Sequence, residues 1–172
     1  MDMTAALGPP EAQESEGAAL QDVFRIHCFG CGALNAHGLQ IKSRWQGDEL
    51  VCRWRPQAFH IGHPGMVYGG TIASVIDCHA IWTAMAALCR DTAHDLASGP
   101  PPFAFVTGRL AVSYLKPMAI DAEMELRARV IDQGERKSIV ACQVLQNGVE
   151  CVNAEVVTVR IKSPMPSPDS PG

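Results

Sequence analysis

Residues 68–89, YGGTIASVIDCHAIWTAMAALC, decide the fold of this chain of 172 residues. Their apolar side chains are spread around every face of a helix, which is typical of a helix buried on all sides. A helix of some 20 residues spans roughly 30 Å, about the width of a small domain. The sequence therefore predicts one long helix, opened by Gly69-Gly70 and closed by Arg90 and Asp91, at the centre of the core.

Asp77 is the only formally charged side chain in this stretch. An ionised carboxylate in an apolar helix is costly unless a partner group or a function accounts for it. Helical spacing places Asp77 on the same side as Gly70 and Ser74, so we expect it to face a pocket that begins at the glycine pair. The alternative is a structural acid bonded to a buried backbone group, His or Arg. His79 points elsewhere and is predicted to be a hydrogen-bonded core or interface residue.

The segments on either side of the helix have the alternating pattern of β-strands. Before the helix, a hairpin is predicted around a turn at 46–48. After it, strands are predicted at 103–115, 123–130, 139–145 and 149–161, and Asn-Gly at 147–148 is a strong signal for the last hairpin. A hairpin, one helix and then four strands predict an α+β fold in which an antiparallel sheet curls around one central helix.

Length and composition limit the classes of function. The length suits one domain, predicted at 22–162, between tails at 1–21 and 163–172 that are predicted to be disordered. A net charge of −4 with both signs interspersed offers no basic face for nucleic acid. The polar residues within 68–89 argue against a membrane span. Seven scattered cysteines fit a reducing compartment, so a cytoplasmic protein is expected.

Three stretches resemble the hotdog-fold acyl-CoA thioesterases, specifically the phenylacetate-pathway (PaaI-like) branch. CFGCG at 28–32, followed by NAHGL at 35–39, is similar to the amino-terminal signature of that branch. GHPGMVYGG at 62–70, followed by Asp77, is similar to its His-Gly-Gly motif and spaced acid, and TGRLAVSYLKP at 107–117 resembles its strand after the helix. Together they span most of the predicted domain.

The resemblance implies a hotdog fold, a curved antiparallel sheet wrapped around a long helix, and hydrolysis of an acyl-CoA thioester to a free acid and coenzyme A without a cofactor. It implies that Asp77 is the catalytic carboxylate, as nucleophile or as base for water. It also implies that the backbone N–H of Gly69 or Gly70 binds the thioester carbonyl oxygen. A helix N-terminus suits that role because its first N–H groups are unpaired and carry the positive end of the helix dipole. The family further implies a homodimer or a dimer of dimers with active sites at subunit interfaces.

Tyr68 stands where the family usually has His. This departure keeps a second hypothesis open, a non-catalytic acyl-CoA-binding or sensing protein. A hotdog hydratase or dehydratase is a third hypothesis, but the sequence shows no motif for that chemistry. Tyr68, His60, His63 and Ser74 are candidate substrate-binding residues. The alternatives are ordinary loop histidines and, for Ser74, a hydrogen bond back to the helix.

Four basic residues after the helix are candidates to contact the phosphates of coenzyme A, although a solvated strand or turn is the commoner position for such side chains. They are Arg109, Lys116, Arg136 and Lys137.

The pair Cys28 and Cys31, with His27 and His37 nearby, invites zinc, because thiolate and imidazole are its usual ligands. A structural zinc site normally needs a second ligand pair at defined spacing, and His27 lies too near Cys28 to complete a tetrahedral site easily. The sequence therefore favours a loop that packs its apolar residues, and it predicts no metal.

Overall fold

The computed structural model describes residues 17–162, which form two helices, six strands and two short 3-10 turns. The helices are α1 (Leu20–Val23) and α2 (Gly69–Asp91), and the 3-10 turns are Ala58–His60 and Leu96–Ser98. The strands are β1 (Ser43–Gln46), β2 (Glu49–Trp54), β3 (Ala104–Tyr114), β4 (Met124–Gln133), β5 (Lys137–Gln146) and β6 (Val149–Ile161).

The six strands form one antiparallel sheet in the order β1-β2-β4-β5-β6-β3. The middle of one face of the sheet packs on α2, which contacts β3, β4, β5 and β6. The predicted hotdog fold, a sheet wrapped around one central helix, is confirmed. Because β1 and β3 end the strand order, they are the edges of the sheet, and β3 with 11 residues is much the longer edge.

The long helix begins at the predicted glycine pair, and its apolar residues fill the core. Val75, Ile76, Ala80 and Ala84 are completely buried, and burying a side chain the size of Val or Ile stabilises the fold by about 1.5–3 kcal/mol. By length and composition α2 would be able to cross a membrane, with a mean hydropathy of 1.6, but 67% of its most apolar stretch is buried inside the fold. Its role as the core helix accounts for its apolar character.

Two glycine-containing irregularities shape the sheet. Asn147 and Gly148 have φ values of 52° and 75°, as a two-residue hairpin turn of type I′ requires, so the predicted Asn-Gly hairpin is confirmed. In β3 the register with β6 shifts at Gly108, between Thr107 and Arg109. A Cβ atom on Gly108 would lie 2.9 Å from Val159 Cγ2, so this bulge depends on the missing side chain.

Residues 1–16 and 163–172, which make up most of the predicted tails, lie outside the described residues. At the N-terminal side, Ala19 and Gln21 are completely buried. Gln21 Nε2 donates to Ser43 Oγ at 2.9 Å, and the Ser43 N–H donates to Gln21 Oε1 at 2.7 Å. The packed part of the chain therefore starts before the predicted boundary at residue 22.

Candidate functional site

Asp77 lies half-buried on α2 and lines a cavity of about 480 Å³. That volume is within the range of small-molecule sites. Asp77 is the one charged residue among those that line the cavity, and most of the walls are apolar. The apolar lining consists of Ile26, Ile81, Trp82, Met85, Ala104, Phe105, Val106 and Ile161. A carboxylate therefore faces a space suited to an apolar group.

Thr107, on the neighbouring strand β3, orients this carboxylate. Its Oγ1 donates a hydrogen bond to Asp77 Oδ1. Thr107 faces α2 because it lies before the bulge at Gly108 and pairs with the buried Thr158 of β6. The contact fixes the position of the acid relative to the sheet.

The N-terminus of α2 presents unpaired backbone donors. The helix begins at Gly69, after the extended residue Tyr68, and no side chain caps its first turn. The first hydrogen bonds run from the N–H groups of Thr71 and Ile72 to the Tyr68 carbonyl, at 3.0 and 3.2 Å. The N–H groups of Gly69 and Gly70 therefore precede the intrahelical ladder. Together with the helix dipole, they favour an oxygen that carries negative charge.

Two tyrosine rings flank the glycine pair. The Tyr114 hydroxyl donates to the Gly69 carbonyl at 2.8 Å. The ring of Tyr68 lies over Gly70, where a Cβ atom would come within 2.4 Å of Tyr68 Cε1. Burial and the nearby Tyr68 raise the pKa of Tyr114, so its hydroxyl keeps its proton at neutral pH and remains a donor.

Gly69 and Asp77 line two different cavities. Gly69 lines a separate recess of about 210 Å³. Asp77 follows Gly70 by seven positions, which corresponds to about 10 Å along the helix axis. These two cavities are distinct in the single chain, and one pocket that reaches from the glycine pair to Asp77 stays a prediction.

The two candidate histidines lie in the segment before α2. His60 Nδ1 accepts the backbone N–H of Gln57 at 2.9 Å, and burial lowers the pKa of its ring. His63 is exposed in a turn, where its carbonyl accepts the N–H of Met66 at 2.9 Å. Neither lines the cavity of Asp77.

Two other polar residues of α2 have structural partners. Ser74 Oγ donates to the Gly70 carbonyl at 2.8 Å, which is the hydrogen bond back to the helix given above as the alternative to substrate binding. His79 is completely buried. Its Nε2 donates to the Leu50 carbonyl at 3.0 Å, and its Nδ1 accepts from the Ser43 hydroxyl at 2.9 Å. Burial lowers the pKa of His79 to about 4. The predicted hydrogen-bonded core residue is confirmed.

Arg109 lies on the face of the sheet that points away from α2. It forms an ion pair with Glu155 at 2.9 Å, and both side chains line a polar groove on that outer face. Because the bulge at Gly108 shifts the alternation of β3 by one residue, Arg109 points away from the helix while Leu110 packs against the core.

The other three basic candidates are also separate from Asp77. Lys116 lines the recess beside Gly69. Arg136 and Lys137 are exposed where β4 connects to β5. Within one chain, Lys116 is the only one of the four that lines either cavity at α2.

Three cysteine thiols lie together on the wall of the Asp77 cavity. The Sγ atoms of Cys28 and Cys78 are 3.7 Å apart, and with Cys31 they form a group in which all three sulfurs lie within 4.8 Å of one another. Hydrogen bonds from Cys31 and Cys78 lower the pKa of the Cys28 thiol, and these same bonds raise the pKa of the two donors. The prediction of no metal assumed that the Cys28–Cys31 pair has no further ligand, whereas α2 supplies a third thiol.

Sequence reasoning missed Thr107, Tyr114 and Cys78. Thr107 and Tyr114 lie within the 107–117 stretch that carries the family resemblance, and Cys78 adjoins Asp77. These positions in the sequence were the available signals, but the packing of β3 and of the 28–32 loop against α2 decides which side chains meet.

Comparison with known proteins places this chain in a family. The thioesterase superfamily profile matches residues 64–152, more than half of the chain. A thioesterase superfamily protein from Shewanella loihica, known from its crystal structure, is 33% identical over 73% of this chain and 95% of its own length, with a TM-score of 0.57. Among curated protein sequences, none matches the chain.

Two more distant structures share the fold. The PaaI protein from the phenylacetic acid degradation operon of E. coli is 15% identical, over 73% of this chain and 83% of its own, with a TM-score of 0.58. A Bacillus halodurans protein crystallised with CoA is 21% identical, over 72% of each chain, with a TM-score of 0.54. At these identities the two structures show the likeness of fold alone.

Proposed function

Because the chain belongs to the thioesterase superfamily, we propose that it hydrolyses an acyl-CoA thioester to a free acid and coenzyme A. The observation that carries this proposal is the position of Asp77, a carboxylate oriented by Thr107 on the wall of an otherwise uncharged, mostly apolar cavity. The apolar walls suit the acyl group, and the carboxylate is the reactive group. The Bacillus halodurans relative crystallised with CoA supports the choice of coenzyme A as the thiol.

Asp77 has two possible roles in the reaction. As a nucleophile, the carboxylate attacks the thioester carbonyl, the C–S bond breaks, coenzyme A leaves as the thiolate, and water then hydrolyses the mixed anhydride. As a base, the carboxylate takes a proton from water, which attacks the carbonyl directly as the C–S bond breaks. On either route negative charge develops on the carbonyl oxygen. The N–H of Gly69 or Gly70 would stabilise that charge, an interaction commonly worth about 2.7–4 kcal/mol.

In this proposal the reaction uses groups from two chains. A donor and an attacking atom each lie about 3 Å from the carbonyl group they act on, so they are separated by roughly 6 Å. Within one chain Gly70 and Asp77 are about 10 Å apart along α2 alone. In this proposal, Asp77 of one protomer acts with the glycine pair of a second copy, in a homodimer or a dimer of dimers.

The edge strand β3 is the surface best suited to hold the second copy. Among residues 17–162 it pairs only with β6, so its other edge has unpaired backbone groups, which readily accept another strand. It carries Thr107, the partner of Asp77, and near the glycine pair it exposes Tyr114 and the adjoining Leu115. Pairing of β3 with its copy would join the two sheets and bring the two helices close together.

Release of free thiol from short aliphatic, long aliphatic and aromatic acyl-CoA substrates tests the proposal. We expect turnover with at least one class. The Asp77→Asn variant should lose about 100- to 10,000-fold in kcat, because Asn neither attacks the carbonyl nor accepts a proton from water. Its amide oxygen still accepts a hydrogen bond from Thr107, so the fold should be retained.

The matched control is Asp91→Asn, which changes an exposed acid at the other end of the same helix. It should keep the rate of the unmodified protein. A near-parental rate for Asp77→Asn would exclude Asp77 as the catalytic carboxylate.

The second candidate is an acyl-CoA-binding protein without hydrolase activity, favoured by the ring of Tyr68 over Gly70. That ring stands close to the backbone donor that would hold the carbonyl oxygen. Binding of acyl-CoA without thiol release from any substrate class would support this candidate, and steady thiol release would reject it.

A further inference from the structure

The proposed hydrolysis leaves the thiol cluster, defined as Cys28, Cys31 and Cys78, without a role. Two of its members come from the loop before β1 and the third from α2, one residue after Asp77. The cluster lies at the wall of the Asp77 cavity, and Cys31 is buried while the other two are half-buried. None of the three is in a disulfide.

The spacing of the sulfurs matches metal coordination. With zinc–sulfur bonds of about 2.3 Å, two thiolates of a tetrahedral site lie about 3.8 Å apart. The Cys28 and Cys78 sulfurs are 3.7 Å apart, and all three sulfurs are within 4.8 Å of one another. Small side-chain rotations that move the sulfur atoms by about 1 Å would therefore bring all three within bonding distance of one ion.

The loop is shaped to present two of these sulfurs. The Gly32 N–H donates to the Cys28 carbonyl at 2.8 Å and closes the turn. The Leu39 N–H donates to the Phe29 carbonyl at 2.7 Å, and the Ile41 N–H donates to the Gly30 carbonyl at 3.2 Å. These backbone hydrogen bonds hold the loop in the conformation that presents both sulfurs.

Two glycines allow the loop to approach α2 this closely. A Cβ atom on Gly30 would lie 2.3 Å from Cys78 Sγ, and one on Gly32 would lie 2.5 Å from the Cys28 backbone nitrogen. Distances under about 3 Å require atoms to move. The three sulfurs therefore meet only because both positions lack a side chain.

We propose that Cys28, Cys31 and Cys78 bind one Zn²⁺ ion as thiolates. Sulfur ligands select Zn²⁺ and other thiophilic ions over Mg²⁺ and Ca²⁺. Among the described residues, no His, Cys or carboxylate group completes the cluster as a fourth ligand. Three protein ligands leave one position of the tetrahedron for water or another small ligand. The ion would fasten the 28–32 loop to α2 beside Asp77.

Metal uptake by the full-length protein tests this site without any acyl-CoA assay, so its outcome is independent of the proposed hydrolysis. The protein is reduced, stripped with chelator, loaded with Zn²⁺ and freed of excess metal, and bound zinc is measured by mass spectrometry. We expect about one equivalent per chain. Co²⁺ loading should produce the charge-transfer absorption of thiolate ligands.

Cys78→Ser should lower zinc affinity at least tenfold, because a hydroxyl is a poor zinc ligand. Cys89→Ser, on the same helix and outside the cluster, is the matched control and should bind zinc like the unmodified protein.

If Cys78→Ser does not fold, protection of three thiols from alkylation by Zn²⁺ in the unmodified protein supports the site, and absence of protection overturns it. Less than about a tenth of an equivalent in the unmodified protein would overturn the proposal. Equal zinc binding by the two Ser variants would also overturn it. So would a disulfide within the cluster, if the protein still takes up no zinc after that disulfide is reduced.

Discussion

Two regions of α2, one around Asp77 and one at Gly69 and Gly70, differ in charge and in the hydrogen-bonding groups that they present. Around Asp77, α2 presents a negatively charged side chain on the wall of a mostly apolar cavity, oriented by a hydroxyl from β3. At Gly69 and Gly70 it presents backbone N–H donors, with two tyrosines and Lys116 nearby. In the first region the Thr107 hydroxyl already donates to Asp77, and no carboxylate lines the recess of the second. In the proposed function each region is half of an acyl-transfer site, and a second chain joins the halves.

Removal of the backbone donor tests the second region and has the largest expected effect after Asp77→Asn. In Gly69→Pro the N–H is lost, while proline is accepted at the first helical position and the extended backbone of Tyr68 suits the residue before it. Gly70→Pro removes the second donor. We expect kcat to fall about 100- to 1,000-fold in whichever variant lacks the functional donor, measured by thiol release.

Gly69→Ala and Gly70→Ala are the controls, since both keep the N–H. A Cβ atom on Gly69 would lie 3.5 Å from the Tyr114 ring, an ordinary contact, whereas one on Gly70 would displace the Tyr68 ring. Full turnover in both Pro variants would show that the N–H groups at the helix N-terminus do not take part in the reaction.

His79 lies two residues from Asp77 but belongs to neither region. It therefore tests the stability of the helix separately from its proposed chemistry. Its pKa is about 4 in the folded protein against 6.5 in the unfolded chain. The unfolded chain therefore binds the extra proton as pH falls below 6.5. The stability that His79 contributes is complete above that pH and is lost between pH 6.5 and 4, a change of about 3 kcal/mol.

Urea unfolding at a series of pH values measures this loss. His79→Gln should flatten the pH dependence in that window, while His63→Gln, at an exposed position, should leave it unchanged. An equal slope in the His79→Gln variant would show that other groups cause the acid sensitivity.

Thr107→Val tests how the first region is organised and should have the smallest effect. Losing the hydroxyl that orients Asp77 should lower kcat about tenfold with little change in KM. Thr107→Ser keeps the hydroxyl and should restore most of the rate. If the Ser variant is as slow as the Val variant, strand packing rather than the hydrogen bond is responsible.

The sequence predicts the parts of this molecule that depend on local pattern. The apolar residues around α2 and the Asn-Gly pair at 147–148 predict the central helix and the last hairpin from neighbouring residues alone. The sequence also shows that Asp77 is the only charged residue in the apolar stretch. Such a lone charge needs a partner or a function to account for it.

Contacts between distant segments could not be predicted in the same way. Cys28 and Cys78 are fifty residues apart and meet only because Gly30 lets the loop close on α2. The bulge at Gly108 reverses the strand alternation, which turns Arg109 to the outer face and Tyr114 towards the helix. Such contacts follow from the packing of the whole sheet against α2, which no local pattern encodes.

Complementation between two inactive variants tests the central claim, that Asp77 and the glycine pair of one site come from different chains. Asp77→Asn and the inactive Gly→Pro variant are co-expressed with different tags, and mixed oligomers are confirmed by tandem purification. In a random mixture of dimers, each mixed dimer would contain one intact site, so about a quarter of the original turnover should return. If confirmed mixed dimers remain as inactive as either variant alone, the two-chain site is contradicted.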